Sequence, residues 1–170
     1  SQTASAGPAL FVCGSPAAWQ QGIQQQAESH GVTVLSLGAT HRIVPEALAR
    51  LAASGSVMIA LGQETPSTCK PSALLIPLID AAAEIMRQGG ISQVFVEGGA
   101  TATALIERMN WSRFEVVPFD LLGVGCLKPI ATGKPPLLFA KPGSYPWPEG
   151  VWRRASELKG VHDRPGLTAQ

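Results

Sequence analysis

Three short segments of the sequence have residue types that could bind an anion, and each follows an apolar run. Ser15 follows the run 10–13, residues 98–101 follow the run 93–96, and residues 141–144 follow the run 137–140. Glycines leave backbone amides open to a ligand, and the first amides of a helix have no partner within the helix. Phosphate is an anion that such a site commonly holds.

The middle segment is the one around which the chain is organised. An apolar strand runs through Gly98 and Gly99 into a helix that should turn Leu105, Ile106 and Met109 inward. The amides at the start of that helix carry the positive end of its dipole. A side chain at Gly99 should block a ligand there, and it could also strain a positive φ angle. The glycine pair alone would equally suit a tight strand-to-helix turn, so the prediction depends on the other two segments.

Convergence of the three segments is what favours a nucleotide site. In an open parallel sheet the ligand crevice lies outside the carboxyl ends of the strands, where the three segments should meet. The sequence has no Walker A motif and no G-x-G-x-x-G after a strand, which argues against the common ATP and NAD fingerprints. Lys141 has two interpretations, a partner for a phosphate or simply the end of a strand.

Composition narrows the class of protein. The 170 residues are 45% hydrophobic and 15% charged, which suits one domain with a full core. A net charge of +1 with no basic run gives no sign of nucleic-acid or membrane binding. Cys13, Cys69 and Cys126 form no C-x-x-C pair, so we expect no disulfide framework, no zinc site and a cytoplasmic location. No signal peptide or membrane-spanning run is expected.

Strand and helix patterns alternate along the first two thirds of the chain, which predicts an α/β fold with a single domain. We expect a three-layer arrangement in which a mainly parallel sheet has helices on both faces. The predicted strands are 10–13, 32–35, 57–61, 93–96, 114–117, 121–122 and 137–140, and the predicted helices are 16–30, 45–54, 73–87, 99–110 and one around 151–158. Ser15 should cap the first helix. Pro77 leaves two choices, a helix that begins near Ile76 or one that is kinked.

Boundaries follow from the same patterns. Residues 1–8 are expected to be a linker or chain edge, residues 9–158 a nucleotide-binding domain, and residues 159–170 a polar tail. Gly123 lies in a flexible joint between late strands, and residues 129–136 are expected to be a connector.

These residues, in this order, resemble a known family. Residues 97–101 (Glu-Gly-Gly-Ala-Thr), the Gly123 segment and residues 141–145 (Lys-Pro-Gly-Ser-Tyr), with Ser15 near the start, are similar to the C-terminal nucleotide-binding domain of the four-carbon acid sugar kinases. The resemblance implies ATP and Mg²⁺ as cofactors and phosphorylation of 3-oxo-tetronate, threonate or erythronate. The site residues expected from the segments and the resemblance together are Ser15, Gly98, Gly99, Ala100, Thr101, Gly123, Lys141, Gly143 and Ser144.

The chain also departs from the family pattern. Ala100 stands where family members commonly carry an acidic residue, and Pro142 and Pro146 stand where they carry a small residue and a glycine. The family places the sugar acid, and the catalytic base with it, on an N-terminal domain that this chain does not contain. We therefore expect the fragment to bind ATP or ADP weakly and to transfer no phosphate by itself; a homo-oligomer is left open.

Two other functions compete with this one, a regulatory module that binds a nucleotide or sugar phosphate without catalysis and an assembly domain without a ligand.

Other residues that could take part in catalysis or ligand binding have weaker support from the sequence. His30, His41 and His162 have no metal-ligand spacing and should lie at the surface. Trp147 and Trp152 could stack on an adenine, although core packing is the commoner fate of a tryptophan.

Overall fold

The structure is a computed structural model that describes residues 7–38, 42–62 and 71–156. His41, Cys69, His162 and the predicted tail 159–170 lie outside the described residues, as does most of the predicted linker. Within the described ranges, no helix has the length and apolar character needed to cross a lipid bilayer.

In the part of the chain that the structure describes, seven strands form a single sheet in the order β2-β3-β1-β4-β7-β6-β5. The first five strands in that order are parallel to one another, while β6 runs antiparallel to both of its neighbours. The strands are β1 (Ala9–Cys13), β2 (Thr33–Ser36), β3 (Ser56–Ala60), β4 (Gln93–Glu97), β5 (Phe114–Val117), β6 (Gly125–Pro129) and β7 (Leu137–Lys141).

Six helices in the described ranges cover the two faces of the sheet. They are α1 (Pro16–Gln20), α2 (Ile23–Ser29), α3 (Ile43–Ser54), α4 (Pro71–Gln88), α5 (Gly99–Arg108) and α6 (Glu149–Ser156). Apolar side chains of α3, α4 and α5 pack on one face against even-numbered residues of β1, β4 and β7 and odd-numbered residues of β3. Those of α1, α2 and α6 pack on the other face against odd-numbered residues of β1, β4 and β7 and even-numbered residues of β3. The expected three-layer α/β arrangement is therefore confirmed.

The central strands of the sheet are buried on both faces. All five residues of β1, β3 and β4 are buried, because each of these strands has helices above and below it. Strands buried on both faces read as continuous apolar runs, which is why their sequence signals were clear. Phe11 and Phe95 stack at 4.6 Å between ring centroids, with Trp152 at 5.0 Å from Phe11, so aromatic packing fills the α6 face.

The chain leaves β1 and β4 in opposite directions across the sheet. After β1 it passes through α1 and α2 to β2 on one side of the sheet, and after β4 it passes through α5 to β5 on the other side. Because β1 and β4 are neighbours, a crevice opens between the two connections at their carboxyl ends. This topological switch point is where ligands of open α/β sheets bind.

Two element predictions were wrong in the late part of the chain. Residues 121–122 form a bend and turn rather than a strand, and Leu122 is 98% exposed. Residues 125–129 form β6, where no strand was predicted between the flexible joint at Gly123 and the connector 129–136. β6 mixes exposed and buried residues because it joins the antiparallel part of the sheet, so it does not form a continuous apolar run.

The predicted first helix 16–30 is broken in two. Gly22 takes a left-handed conformation, with φ of 81°, and separates α1 from α2. Ile23 and Ala27 are buried as expected, since both helices present one apolar face to the sheet. In contrast, α4 runs continuously through Pro77, which is on its exposed side near the helix start.

Candidate functional site

Three neighbouring strands end at the same level of the sheet. Cys13, the last residue of β1, pairs in register with Glu97, the last residue of β4, and Glu97 pairs with Lys141, the last residue of β7. The three predicted segments therefore leave the sheet side by side at the switch point. This is the convergence that the sequence pattern predicted.

Ser15 and Gly143 are in direct contact across this edge. Ser15 caps α1 as expected, and its Oγ accepts a hydrogen bond of 3.4 Å from the Ala18 amide. A Cβ atom added at Gly143 would lie 2.5 Å from Ser15 Oγ and 3.9 Å from the Gly98 Cα. A side chain at position 143 would clash with Ser15, whose side chain already fills the space.

Gly98 has the strained backbone of the glycine pair. Its φ of 95° and ψ of 136° lie in a region that is essentially reserved for glycine. Gly99 does not have a positive φ, and a Cβ atom there would meet nothing within 4 Å. The expectation that Gly99 could be strained is therefore wrong; the strain lies one residue earlier, and the space at Gly99 is open.

The start of α5 is an open helix N-terminus. Gly98 is its N-cap residue and provides no side-chain hydrogen bond to the first turn. Amides at such a position have no acceptor inside the helix and point outward with the positive end of the helix dipole. Gly99 and Ala100 are exposed, whereas Thr101 is buried and lies against Gly14. The predicted group of residues 98–101 thus forms a backbone surface suited to an anion.

Lys141 does not face this open surface. Its ammonium group lies 2.6 Å from Glu97 Oε1, 3.2 Å from the Pro142 carbonyl oxygen and in contact with the Tyr145 carbonyl oxygen. The indole ring of Trp147 lies 4.9 Å from the same nitrogen. An ammonium has three donors, so these acceptors occupy it fully. Of the two interpretations of Lys141, the geometry favours a structural one: it holds the turn that carries Gly143.

Glu97 is a buried carboxylate with one unused oxygen. Its side chain is 1% exposed, and among the described residues Oε2 has no hydrogen-bond partner. Burial raises the pKa of Glu97, and the hydrogen bond and charge of Lys141 oppose that rise. The thiol of Cys13 and the indole of Trp147 also favour the carboxylate form, although neither completes a hydrogen bond to Oε2.

Cys13 completes the row of strand-end side chains. Burial raises the pKa of its thiol to about 12, and the negative charge of Glu97 adds to the rise. The thiol lies 3.9 Å from the Ser15 carbonyl oxygen. Cys13 therefore remains a neutral, buried side chain at neutral pH.

Two expected site residues are more peripheral. Ser144 is exposed, and its carbonyl oxygen accepts a hydrogen bond of 3.4 Å from Gln21 Nε2, which links the turn to the end of α1. Gly123, with φ of 80°, lies in the turn between β5 and β6, at the same edge of the sheet but on the far side of β7. The structure therefore brings Ser15, Gly98 and Gly143 together and leaves Gly123 apart from them.

The remaining candidate residues belong to the core or the surface. Trp147 and Trp152 are buried against Phe11 and so are not free to stack on a base. His30 ends α2 and pairs with Glu149 at 3.0 Å. Across the three described ranges, no three His, Cys, Asp or Glu side chains are grouped closely enough to hold a metal ion.

The role of Glu97 is the feature that sequence reasoning missed. In the sequence, Glu97 is the first residue of the segment 97–101 and was given no role of its own. An acidic residue at the end of an apolar strand is unusual, because carboxylates are seldom buried without a partner. Lys141 ends another apolar strand in the same way. Two opposite charges at equivalent strand ends could have suggested a buried pair, but pairing requires that β4 and β7 be neighbours.

Comparisons with known proteins show where this fold occurs. No protein-family model matches the sequence, and no curated protein matches it either. Among solved structures, a domain of unknown function (DUF1537) from Bordetella bronchiseptica, crystallised with bound citrate as a domain-swapped dimer, superposes with a TM-score of 0.68 at 20% identity over 90% of this chain. A second crystal form of that protein gives a TM-score of 0.64 at 21% identity.

Two further solved structures have the same fold over most of this chain. A Haemophilus influenzae protein of the same DUF1537 family has a TM-score of 0.59 at 14% identity over 92% of this chain. A Salmonella typhimurium protein provisionally described as a tRNA synthase has a TM-score of 0.66 at 21% identity over 89% of it. This chain spans only 39–41% of the length of these structures. Over about nine tenths of its length, the chain therefore has the fold of one part of the DUF1537 structures.

Proposed function

We propose that this chain is the ATP-binding part of a kinase that phosphorylates a four-carbon sugar acid, namely 3-oxo-tetronate, threonate or erythronate. The observation that carries the proposal is the meeting of Ser15, Gly98 and Gly143 at the switch point, beside the open start of α5. The likeness in fold to DUF1537 structures supports the proposal. A second support is that the sequence motifs at these positions resemble those of the four-carbon acid sugar kinases.

The phosphates of ATP would bind the amides of residues 99–101. Gly98 turns the chain sharply away from the sheet, and Gly99 leaves the space in front of the helix open. Backbone amides at a helix start are fixed in direction before a ligand arrives, so they hold negative charge without reorganising. Phosphoryl transfer depends mainly on such positioning and charge stabilisation.

The turn that carries Gly143 would close the other side of the site. Gly143 lies against Ser15, and Lys141 holds the turn through the carbonyl oxygens of Pro142 and Tyr145. Lys141 therefore acts through the shape of the turn, and its own charge is balanced by Glu97. Mg²⁺ would arrive bound to the phosphate oxygens, since kinases usually hold it with the nucleotide and few protein ligands.

The sugar acid and the catalytic base would come from outside this chain. The solved structures with this fold are more than twice as long, and this chain matches about 40% of each. We accordingly propose that the 170 residues bind nucleotide but do not turn over a sugar acid alone. A cytoplasmic location and a homo-oligomer are part of the same proposal, and the domain-swapped dimers of the Bordetella bronchiseptica protein support the homo-oligomer.

Thermal unfolding with added nucleotide tests this function. A ligand at 100 times its dissociation constant should stabilise the fold by about 2.7 kcal/mol, which is a readily measured rise in Tm. We expect MgATP and MgADP to raise Tm and free threonate and erythronate to leave it unchanged. No change with millimolar MgATP would contradict the proposal. A parallel assay should detect no phosphorylated threonate or erythronate, and measurable turnover would show that the acceptor site is within this chain.

A further inference from the structure

A large cavity lies at the edge of the sheet opposite the three strand ends. Its volume is about 650 Å³, which is within the roughly 300–1,000 Å³ of pockets that hold a small organic ligand. Residues at the amino ends of β4 and β7, the end of β6 and the start of β5 line it. Because β4 and β7 have five residues each, the cavity lies about 13 Å from the carboxyl edge of the sheet. It is therefore separate from the expected phosphate site.

Gln93 is a buried polar residue in the wall of this cavity. It is the first residue of β4, and it is 2% exposed. Its Oε1 accepts a hydrogen bond of 2.6 Å from Arg154 Nε, and the guanidinium of Arg154 lies 5.2 Å from the centre of the Phe139 ring. Arginine can only donate hydrogen bonds, so this contact fixes the side-chain amide of Gln93 with its oxygen toward α6. The Nε2 of Gln93 is thereby turned away from Arg154.

The Nε2 of Gln93 is a hydrogen-bond donor without an acceptor among the described residues. Across the same residues, Glu97 Oε2 is the one side-chain nitrogen or oxygen that is both unpartnered and out of contact with solvent. Gln93 Nε2 therefore still reaches open space, and the cavity is the open space that Gln93 lines. Nearly enclosed amide groups in proteins are normally hydrogen-bonded. The cavity thus offers a ligand a donor that is already fixed in direction.

The charges around the cavity favour an anion. Lys128 and Lys134 line it, and Glu115 is the one acidic side chain among the described residues of its wall. Lys128 lies 3.9 Å from Glu115, whereas Lys134 has no carboxylate partner in the described ranges. Arg154 adds a positive charge behind Gln93. Three cations beside one carboxylate attract a negatively charged group.

Much of the remaining wall is apolar. Ile91, Val117, Pro136 and Leu137 contribute to it. Sites for small molecules typically combine such a wall with a few fixed polar groups. An inorganic anion would leave the apolar wall without a partner, so the wall favours a ligand with an apolar body beside its anionic group.

We propose that this cavity binds a small organic anion whose carboxylate or phosphate group accepts a hydrogen bond from Gln93 Nε2. Lys128 and Lys134 are exposed and lie at the mouth of the cavity, where they balance the charge of the ligand. The apolar body of the ligand packs against Pro136 and Leu137. This is a second ligand site, and it does not depend on nucleotide binding at the other edge of the sheet.

Calorimetric titration of the whole chain with four probes tests the inference. They are 2-naphthoate, 2-naphthyl phosphate, inorganic phosphate, and 2-naphthamide, which has the shape of 2-naphthoate without its charge. The tighter of the two naphthyl anions should bind at least about 10-fold more tightly than 2-naphthamide, since hydrogen bonds to charged groups are the stronger ones. That anion identifies the group, carboxylate or phosphate, that the site prefers, and inorganic phosphate should bind more weakly than it does.

Two results of these titrations would overturn the inference. One is equal affinity for 2-naphthamide and both naphthyl anions, because the donor and the lysines would then have no effect. The other is the absence of binding by both naphthyl anions at millimolar concentration.

Two substitutions locate the binding in the cavity. Gln93→Glu keeps an acceptor for Arg154 but replaces the Nε2 donor with a carboxylate oxygen, so the affinity for the naphthyl anion should fall at least about 10-fold. Lys134→Glu reverses an exposed charge, which should not affect folding, and should weaken binding about 5-fold. The matched control is Arg50→Glu, the same change of charge at an exposed position of α3, which contributes no residue to the cavity.

Arg50→Glu should bind the naphthyl anion like the parent chain. Thermal unfolding shows whether each variant folds, and Lys134→Glu decides the test if Gln93→Glu does not fold. Parent-like affinity in the folded variants would overturn the inference, as would an equal loss in Arg50→Glu.

Competition with nucleotide separates this site from the proposed function. Saturating MgATP should leave the affinity for the naphthyl anion unchanged, because the two sites lie at opposite edges of the sheet. Displacement of the anion by MgATP would place it in the nucleotide site and would overturn the inference while the proposed function stands. If the chain binds the naphthyl anion but no nucleotide, the proposed function fails and the second site stands.

Discussion

Lys141 and Glu97 form a buried ion pair between the ends of two neighbouring strands, with 2.6 Å between Nζ and Oε1 and both side chains 1% exposed. The same ammonium binds carbonyl oxygens at both ends of the turn that carries Gly143. The pair thus connects the end of β4 to the loop after β7. A change at Lys141 should alter the fold first and the nucleotide site through it.

Replacing Lys141 with methionine should strongly destabilise the chain. The substitution leaves the Glu97 carboxylate buried without a counter-charge, and removing one partner of a buried pair typically costs about 3–5 kcal/mol. Urea denaturation measures the free energy of unfolding. The matched control is Lys128→Met, because Lys128 pairs with Glu115 at 3.9 Å on the surface and its loss should cost less than about 1 kcal/mol. If both variants lose less than about 1 kcal/mol of unfolding free energy, the buried pair of Lys141 and Glu97 does not stabilise the fold more than a surface pair does.

Gly143→Ala should disrupt the contact with Ser15. The added Cβ would lie 2.5 Å from Ser15 Oγ and 2.9 Å from Ser15 Cβ, so we expect a loss of about 1–3 kcal/mol in unfolding free energy. A second change, Ser15→Gly, removes both clashing atoms, and glycine is a tolerated N-cap residue. The double variant should therefore be more stable than Gly143→Ala alone. If Ser15→Gly instead adds its own loss to that of Gly143→Ala, the two residues do not compete for space.

Cys13 should resist alkylation while the chain is folded. A thiol with a pKa of about 12 is almost entirely protonated at pH 8, and only the thiolate reacts with iodoacetamide. Mass spectrometry should find Cys13 unmodified under native conditions and modified once urea unfolds the chain. Native modification at the rate of a free cysteine peptide would contradict the buried environment at the end of β1.

The pair of His30 and Glu149 should make stability depend on pH. The hydrogen bond with the Gln26 carbonyl, and then the contact with Glu149, raise the pKa of His30 above 6.5 in the folded chain. The stabilisation is therefore fully present below about pH 6.5 and is lost as the pH rises through the folded pKa. Since Glu149 is mostly exposed, the effect should stay below about 1 kcal/mol.

Urea denaturation of the parent chain and Glu149→Gln at pH 5.5 and pH 8.5 measures this dependence. The difference in unfolding free energy between the two chains should be larger at pH 5.5. Glu28→Gln is the control, because Glu28 accepts a hydrogen bond from Gln24, a neutral partner. A difference that grows with rising pH would contradict the assigned pairing.

The parallel part of the fold could be predicted because its strands are buried on both faces. β1, β3 and β4 read as apolar runs, each followed by a turn and a helix pattern. β6 could not be predicted in the same way, since it begins with Gly125, ends with Pro129 and includes exposed as well as buried residues. The break at Gly22 was also hidden, because the apolar spacing continues across it on one face.

The site was predictable as far as it depends on the ends of strands. The meeting of Ser15 with Gly98 and Gly143 follows from a parallel sheet whose strand ends share one edge. The pairing of Glu97 with Lys141 depends on β4 and β7 being neighbours in a particular register, which no local pattern specifies. The positive φ at Gly98 rather than Gly99 likewise depends on how the chain leaves the sheet.

Calorimetric titration of MgATP into the parent chain and Gly99→Ala tests the central claim most directly. Gly99 has open space around it and no positive φ, so alanine there should leave the unfolding free energy unchanged or slightly raised. The methyl group would occupy the space that a phosphate needs, and affinity should fall at least 10-fold. Gly125→Ala, at an unhindered glycine of β6 on the same edge of the sheet, should bind like the parent chain. Parent-like affinity in Gly99→Ala would contradict phosphate binding at the start of α5.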